Sequence, residues 1–279
     1  MKFDLNSYYN NFNNNVLITN NINQHINNST IININTICFN SIIKKIKNMP
    51  NNIIVIINFE LITTYKVLRK LIINLDKINK MYSIKYIINL GKQNFNKLND
   101  ELNNLLFNLV HGLITISFNT KKEKYEYIYD IVCDYLDNEF AKNNLCDFKE
   151  GKCIANRNGE TMHKDNGCCY NVKYVGHLDF KVCGYCTKLS EKGCTIKCIS
   201  CKFFTCKYYK KQGISFEPKS IFLINTFFNK SQILVLKYNI YRTKEEIINK
   251  LLSDKLLPYF LSLATKSYYI KESDEVEKN

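Results

Sequence analysis

The chain has 279 residues and a formal charge of +14, from 39 Lys and Arg against 25 Asp and Glu. Its first 15 residues are polar and Asn-rich, without the apolar run of roughly 7 to 15 residues that a secretory signal needs. No stretch approaches the roughly 18 apolar residues of a membrane span, so the expectation is a cytoplasmic protein of one or two domains with no membrane partner.

Apolar runs alternate with helical patterns over the first half. Strands are predicted at 16–19, 53–58, 84–89 and 113–118, and helices near 39–47, 63–80, 93–109 and 121–140. Leu68, Leu71, Ile72 and Leu75 recur at helical spacing, whereas the branched run from Ile53 to Ile57 suits a strand covered on both faces. Repeated strand–helix units predict an α/β domain over 1–140 with a mostly parallel sheet.

The periodicity then stops. Ten of the twelve cysteines lie between Cys146 and Cys206, in a segment broken by glycines and poor in apolar residues. Residues 146–211 are therefore expected to be a cysteine-rich metal module in which ligated metal substitutes for a missing core. In a reducing compartment such clusters bind metal more often than they form disulfides. C-terminal helices are predicted over 216–265. One opens at Pro218 and runs to Phe228, another begins near Ser231, and a capping box at Thr243–Glu246 starts a third that ends near Leu252. The tail, 266–279, is charged.

Cys183-x2-Cys186 and Cys198-x2-Cys201 are two knuckles whose four thiolates can close a tetrahedron around one metal. Cys194-x3-Cys198-x2-Cys201 is an overlapping set suited to three irons of a [4Fe–4S] cluster, with Cys206 or an upstream thiolate as the fourth ligand. The candidate ligands are thus Cys153, Cys168, Cys169, Cys183, Cys186, Cys194, Cys198, Cys201 and Cys206, and the cofactor is zinc or an iron–sulfur cluster. Because Cys168 and Cys169 are adjacent, they fit two centres, or one ligand and one packed thiol, better than one shared metal.

The set formed by Cys153, Cys168-Cys169 and Gly193-Cys194-Thr-Ile resembles the YkgJ-like family of zinc- or iron-chelating modules. Cys183-x2-Cys186-x7-Cys194-x3-Cys198 is similar to the auxiliary-cluster (SPASM-type) extensions that follow radical S-adenosylmethionine enzymes. Upstream, the segment from Ile18 to Ser29, Ile56-Ile-Asn-Phe-Glu60, Ile88-Asn-Leu-Gly91 and the segment from Leu113 to Asn119 resemble successive motifs of a radical S-adenosylmethionine domain. Ile22, Ile26 and Ser29 stand where that family's cluster cysteines belong. The likeness therefore implies the fold, partly barrel-like, without its founding cluster.

The charge points to a nucleic acid or another anionic partner, but part of it neutralises thiolates. From Cys146 to Lys211 there are 13 Lys and Arg against 6 Asp and Glu, and bound thiolates would cancel much of that surplus. Phe203, Phe204, Tyr208 and Tyr209 interleave with lysines, a mixture that suits base stacking or a small core against Ile221 and Leu223. His163 and His177 are candidate nitrogen ligands. Cys38 and Cys133 fall in apolar-periodic segments and read as buried hydrophobes; His25 and His111 read as surface or packed residues. Glu60 falls at a strand end, where α/β sheets place functional groups.

Overall fold

Three six- or five-residue branched runs and one shorter one pair into a four-stranded, wholly parallel sheet: β1 Val16–Thr19, β2 Thr30–Ile34, β3 Ile53–Asn58 and β4 Ile84–Asn89, in the order β1-β4-β3-β2. The computed structural model describes residues 5–25, 30–34, 53–79, 84–142, 198–203, 210–239 and 242–253, and the backbone of six short strands between 148 and 194. The chain divides into two units, Met1–Ile128 and Tyr129–Asn279.

In the first unit every residue from Ile53 to Ile57 is buried, as the unbroken apolar run requires. Leu17, Ile54, Ile56 and Ile87 form one core cluster, joined by the half-buried Ile22. Helix α1, Tyr65–Asn79, buries Leu68, Leu71, Ile72, Leu75 and Ile78, the stripe that its spacing predicts. It packs on α2, Asp100–Ser117. The contact is close at Gly112, where a Cβ would come within 2.9 Å of Ile72 Cδ1. Asn79, at the end of α1, donates to the Ile116 carbonyl at 2.6 Å and accepts from the Tyr86 hydroxyl at 3.0 Å. One side chain thereby ties α1, α2 and β4.

Two sequence expectations are corrected here. Residues 113–118, predicted as a strand, are the end of α2 and its cap. This part of the helix is buried on all sides, His111, Gly112 and Thr115 included, so no polar face reveals its period. Thr115 and Ser117 donate to the carbonyls of His111 and Leu113, four residues back, and so sit in the helix without an unmet hydroxyl. The second correction is the start of α2. A short 3-10 turn, Phe95–Lys97, precedes Asn99, whose side chain accepts from Leu102 N at 2.9 Å and caps the helix there. Strand β2, not expected from the sequence, pairs with β3 from Thr30 opposite Ile53 onward. In a barrel of successive strand–helix units β1 would pair with β2; here it pairs with β4. The helix expected at 39–47 lies outside the described residues.

Helix α3, Lys121–Lys142, runs through the division between the units. In the second unit the short strands form three antiparallel pairs: β5 Phe148–Lys149 with β6 Lys152–Cys153, β7 Asn171–Val175 with β8 Asp179–Cys183, and β9 Leu189–Ser190 with β10 Gly193–Cys194. Helices follow: α4 Ile199–Phe203, α5 Phe222–Phe227, α6 Lys230–Tyr238 and α7 Lys244–Leu252. Pro218 opens only a 3-10 turn, Pro218–Ser220, so the helix expected to begin there starts at Phe222. The capping box predicted at Thr243–Glu246 is present in both directions.

Candidate metal centre

The Cys198-Ile199-Ser200-Cys201 turn is part of a packed helical core. Cys198 and Ile199 have 0% exposure and Ser200 1%. Cys198 precedes α4, and its carbonyl accepts the Lys202 N–H at 3.1 Å, closing the turn. The Ile199 N–H, first in the helix and without an intrahelical acceptor, donates to the Tyr129 hydroxyl on α3 at 3.0 Å. Lys202, itself buried, pairs with Asp137 two turns further along α3.

A second set of contacts holds the sulfur. Cys198 Sγ donates to the Asn239 carbonyl at 3.4 Å. Asn239 ends α6; its amide donates to Val235 O at 2.7 Å and its Oδ1 accepts from Lys250 Nζ at 2.6 Å. The carbonyl that meets the thiol is therefore fixed in place.

The two cysteines favour an anionic sulfur. A hydrogen bond from the Cys201 side chain lowers the Cys198 thiol below its usual range, and the backbone N–H groups of Cys201, Arg242 and Ser200 reinforce this; burial opposes it, as does the Asn239 carbonyl, which accepts from the neutral S–H. Donors aimed at one sulfur stabilise a thiolate whether it is free or metal-bound. Cys133, on the α3 face that carries Tyr129, is the contrast. Burial pushes its thiol well above the usual range, and the nearby Lys202 only partly offsets that. It is the neutral, buried residue that its setting predicts.

Metal ligation fits this pair better than exchange with another protein's disulfide does. A nucleophile for exchange has to be reachable, and the low-pKa sulfur is the fully buried one, while Cys201 is partly exposed. A knuckle supplies two thiolates to one metal, at about 2.3 Å for zinc. Ser200, between them, has a buried hydroxyl without a hydrogen-bond partner, the kind of group that an added ligand or water completes.

Of the remaining candidates, three have a described backbone. Cys153, Cys183 and Cys194 fall on strands opposite Phe148, Asn171 and Leu189. Cys168, Cys169, Cys186, Cys206, His163 and His177 lie outside the described residues, as does Cys38. Among the described residues no three His, Cys, Asp or Glu side chains converge as a metal site. Tyr129 and Asn239 are supports that the sequence did not single out, because residues 70 and 41 positions from the knuckle leave no spacing signal.

Elsewhere, Thr19, Asn58 and Asn89 end their strands side by side at the sheet's C-terminal edge. Asn89 donates to Asn58 Oδ1 at 2.8 Å and accepts from Gly91 N at 3.1 Å; Asn20 reaches the carbonyls of Gly91 and Gln93. These amides brace the strand ends and the turn that follows β4. Glu60, exposed in the turn after β3, lies over Gly91.

The first unit is thus of the α/β class, with a parallel sheet and helices. Compared with known protein families, curated proteins and solved structures, the chain matches none. No helix among the described residues is long and apolar enough to cross a membrane.

Proposed function

We propose that this is a cytoplasmic thiolate metal-binding protein, in which Cys198 and Cys201 supply half of a zinc or iron–sulfur site and upstream cysteines complete it. The observation that carries the reading is the packed Cys198-x2-Cys201 turn, in which a fully buried sulfur and a second cysteine share one short helix fixed to α3 at the Ile199 N–H and the Lys202 ammonium. Cys183 and Cys186 are the first choice for the other ligands, then Cys194 and Cys206, then Cys153, Cys168 and Cys169. Metal content and the visible spectrum of anaerobically purified protein test it. Zinc without a visible band makes the site structural or regulatory. Iron with acid-labile sulfide and a bleachable brown colour makes it an iron–sulfur redox protein, or an accessory related to radical S-adenosylmethionine enzymes. Protein that binds neither overturns the reading.

A second reading, binding of nucleic acid, is favoured by how charge is segregated among the helices. The exposed face of α1 carries Lys66, Arg69, Lys70 and Lys77, with Tyr65 and Ile73 also exposed on that helix. Its one acid, Asp76, is paired with Lys124 at 2.6 Å. Helix α2, by contrast, has Asp100 and Glu101 and no Lys or Arg. A lysine-rich composition would spread cations over both. Affinity for single-stranded or duplex nucleic acid should fall steeply with salt as counterions are released, and should weaken in Lys66→Glu/Lys70→Glu. Absent or salt-independent binding removes this reading.

A further inference from the structure

We propose that Tyr129 is a positioning residue for the Cys198–Cys201 pair, holding the knuckle in a ligand-ready form through its bond with the Ile199 N–H. The inference rests on the metal reading above. A helix of five residues has almost no cooperative stability of its own, so the geometry of its two cysteines must be imposed from outside. The Ile199 N–H belongs to the peptide that joins Cys198 to the helix. Being buried, it requires a partner, and it finds one in the Tyr129 hydroxyl at 3.0 Å.

The same helix face grips the other end of the turn. Tyr129, Cys133 and Asp137 recur every four residues along α3 and so lie on one stripe. Tyr129 holds the first residue of α4 through its backbone, and Asp137 holds the fourth, Lys202, through its ammonium. Between these two grips the Cys198 carbonyl accepts the Lys202 N–H at 3.1 Å and closes the turn that carries both cysteines. Tyr129 acts through the peptide that orients Cys198. Partners of this kind fix a ligand's orientation before metal arrives, and their loss typically costs metal affinity about 10- to 100-fold.

The test is an anaerobic Co(II) titration of the full chain, following the thiolate-to-cobalt and d–d bands, with zinc competition for affinity. Tyr129→Phe removes the hydroxyl and keeps the ring. Ile248→Val, a trim in the core of α7, controls for general loosening of the helices. The expected result is a roughly tenfold or greater loss of Co(II) affinity and a shifted d–d band in Tyr129→Phe, with far-UV circular dichroism unchanged. Ile248→Val should leave affinity within about twofold of the original, as for an independent site. Unchanged affinity in Tyr129→Phe overturns the positioning role alone, and so does an equal loss in both variants. A wild-type chain that gives no thiolate–cobalt band overturns the metal reading, and this inference with it.

Discussion

A hydrogen bond of 2.6 Å joins His111 Nδ1 to the Tyr127 hydroxyl, inside a group of rings that includes Tyr8 and Phe107. Burial lowers the imidazole to about 3, so it stays neutral in the folded chain at ordinary pH. The unfolded chain takes up that proton near 6.5. Between about 6.5 and 3 the unfolded state therefore binds more protons, and stability falls as pH falls. The wild type should lose up to about 1.4 kcal/mol per pH unit more than His111→Phe across that window. Urea midpoints at several pH values measure the difference between the two chains, which cancels the titration of shared carboxylates. Parallel slopes would show that His111 is not held neutral.

Gly91 has a φ of +60°, and a Cβ there would stand 2.8 Å from Glu60 Oε1. The backbone conformation disfavours any side chain by about 1 kcal/mol or more. The carboxylate is the end of a flexible chain and can swing away at little cost. Gly91→Ala should therefore destabilise by about 1 to 2 kcal/mol, nearly all of it retained in a Glu60→Ala background. Chemical denaturation of the two single variants and the double variant reads the coupling. A loss that vanishes without Glu60 would mean that crowding, not φ, is the cause.

Strand β3 was legible because a strand buried on both faces needs an unbroken branched run, and few other elements tolerate one; β1 is a shorter apolar run, and β4 is interrupted at the exposed Lys85. The same cue failed at 113–118, where a helix buried on every side reads alike. The asparagine-rich stretch from Asn10 to Asn15 shows no periodicity in the sequence. Yet Asn10, Asn14 and Asn15 adopt positive φ, and Asn10 Oδ1 accepts from the buried Thr19 hydroxyl at 2.9 Å. Asparagine tolerates that conformation better than most residues do, so part of the run is structural. Of the candidate site, the Cys198-x2-Cys201 spacing was visible in the sequence. Its supports were not, because Tyr129 and Asn239 reach it only through tertiary packing.

The helix caps of the second unit should differ in worth by a predictable margin. Asn229 and Gln232 form a reciprocal box at the start of α6, with bonds of 2.9 and 3.0 Å. Gln232 also donates to the Leu251 carbonyl at 3.1 Å, so it closes the end of α7 as well. Thr243 and Glu246 make the corresponding box at the exposed start of α7. Thr243→Ala should cost about 1 kcal/mol, an ordinary cap. Gln232→Ala should cost about 2 kcal/mol or more, since it keeps the Asn229 cap but takes the partner from the Asn229 N–H and from the buried Leu251 carbonyl. Thermal or urea denaturation ranks the two, and equal losses would deny Gln232 its second role.

The two buried cysteines with described surroundings predict opposite outcomes on substitution. Cys133 is neutral because burial holds its proton on, and Cys198 is poised to lose its proton because N–H groups and Cys201 surround it. A ligand must give up its proton to bind metal, so the difference in acidity becomes a difference in role. Cys133→Ala should keep the full metal content and lose about 1 to 2 kcal/mol of stability from the cavity that it leaves. Cys198→Ser keeps the shape but removes the soft ligand, and should lose one metal equivalent. Metal analysis of both variants beside their melting curves decides the matter. If Cys133→Ala releases metal, the ligand set includes α3, and the division between a neutral thiol and a metal-ready one falls.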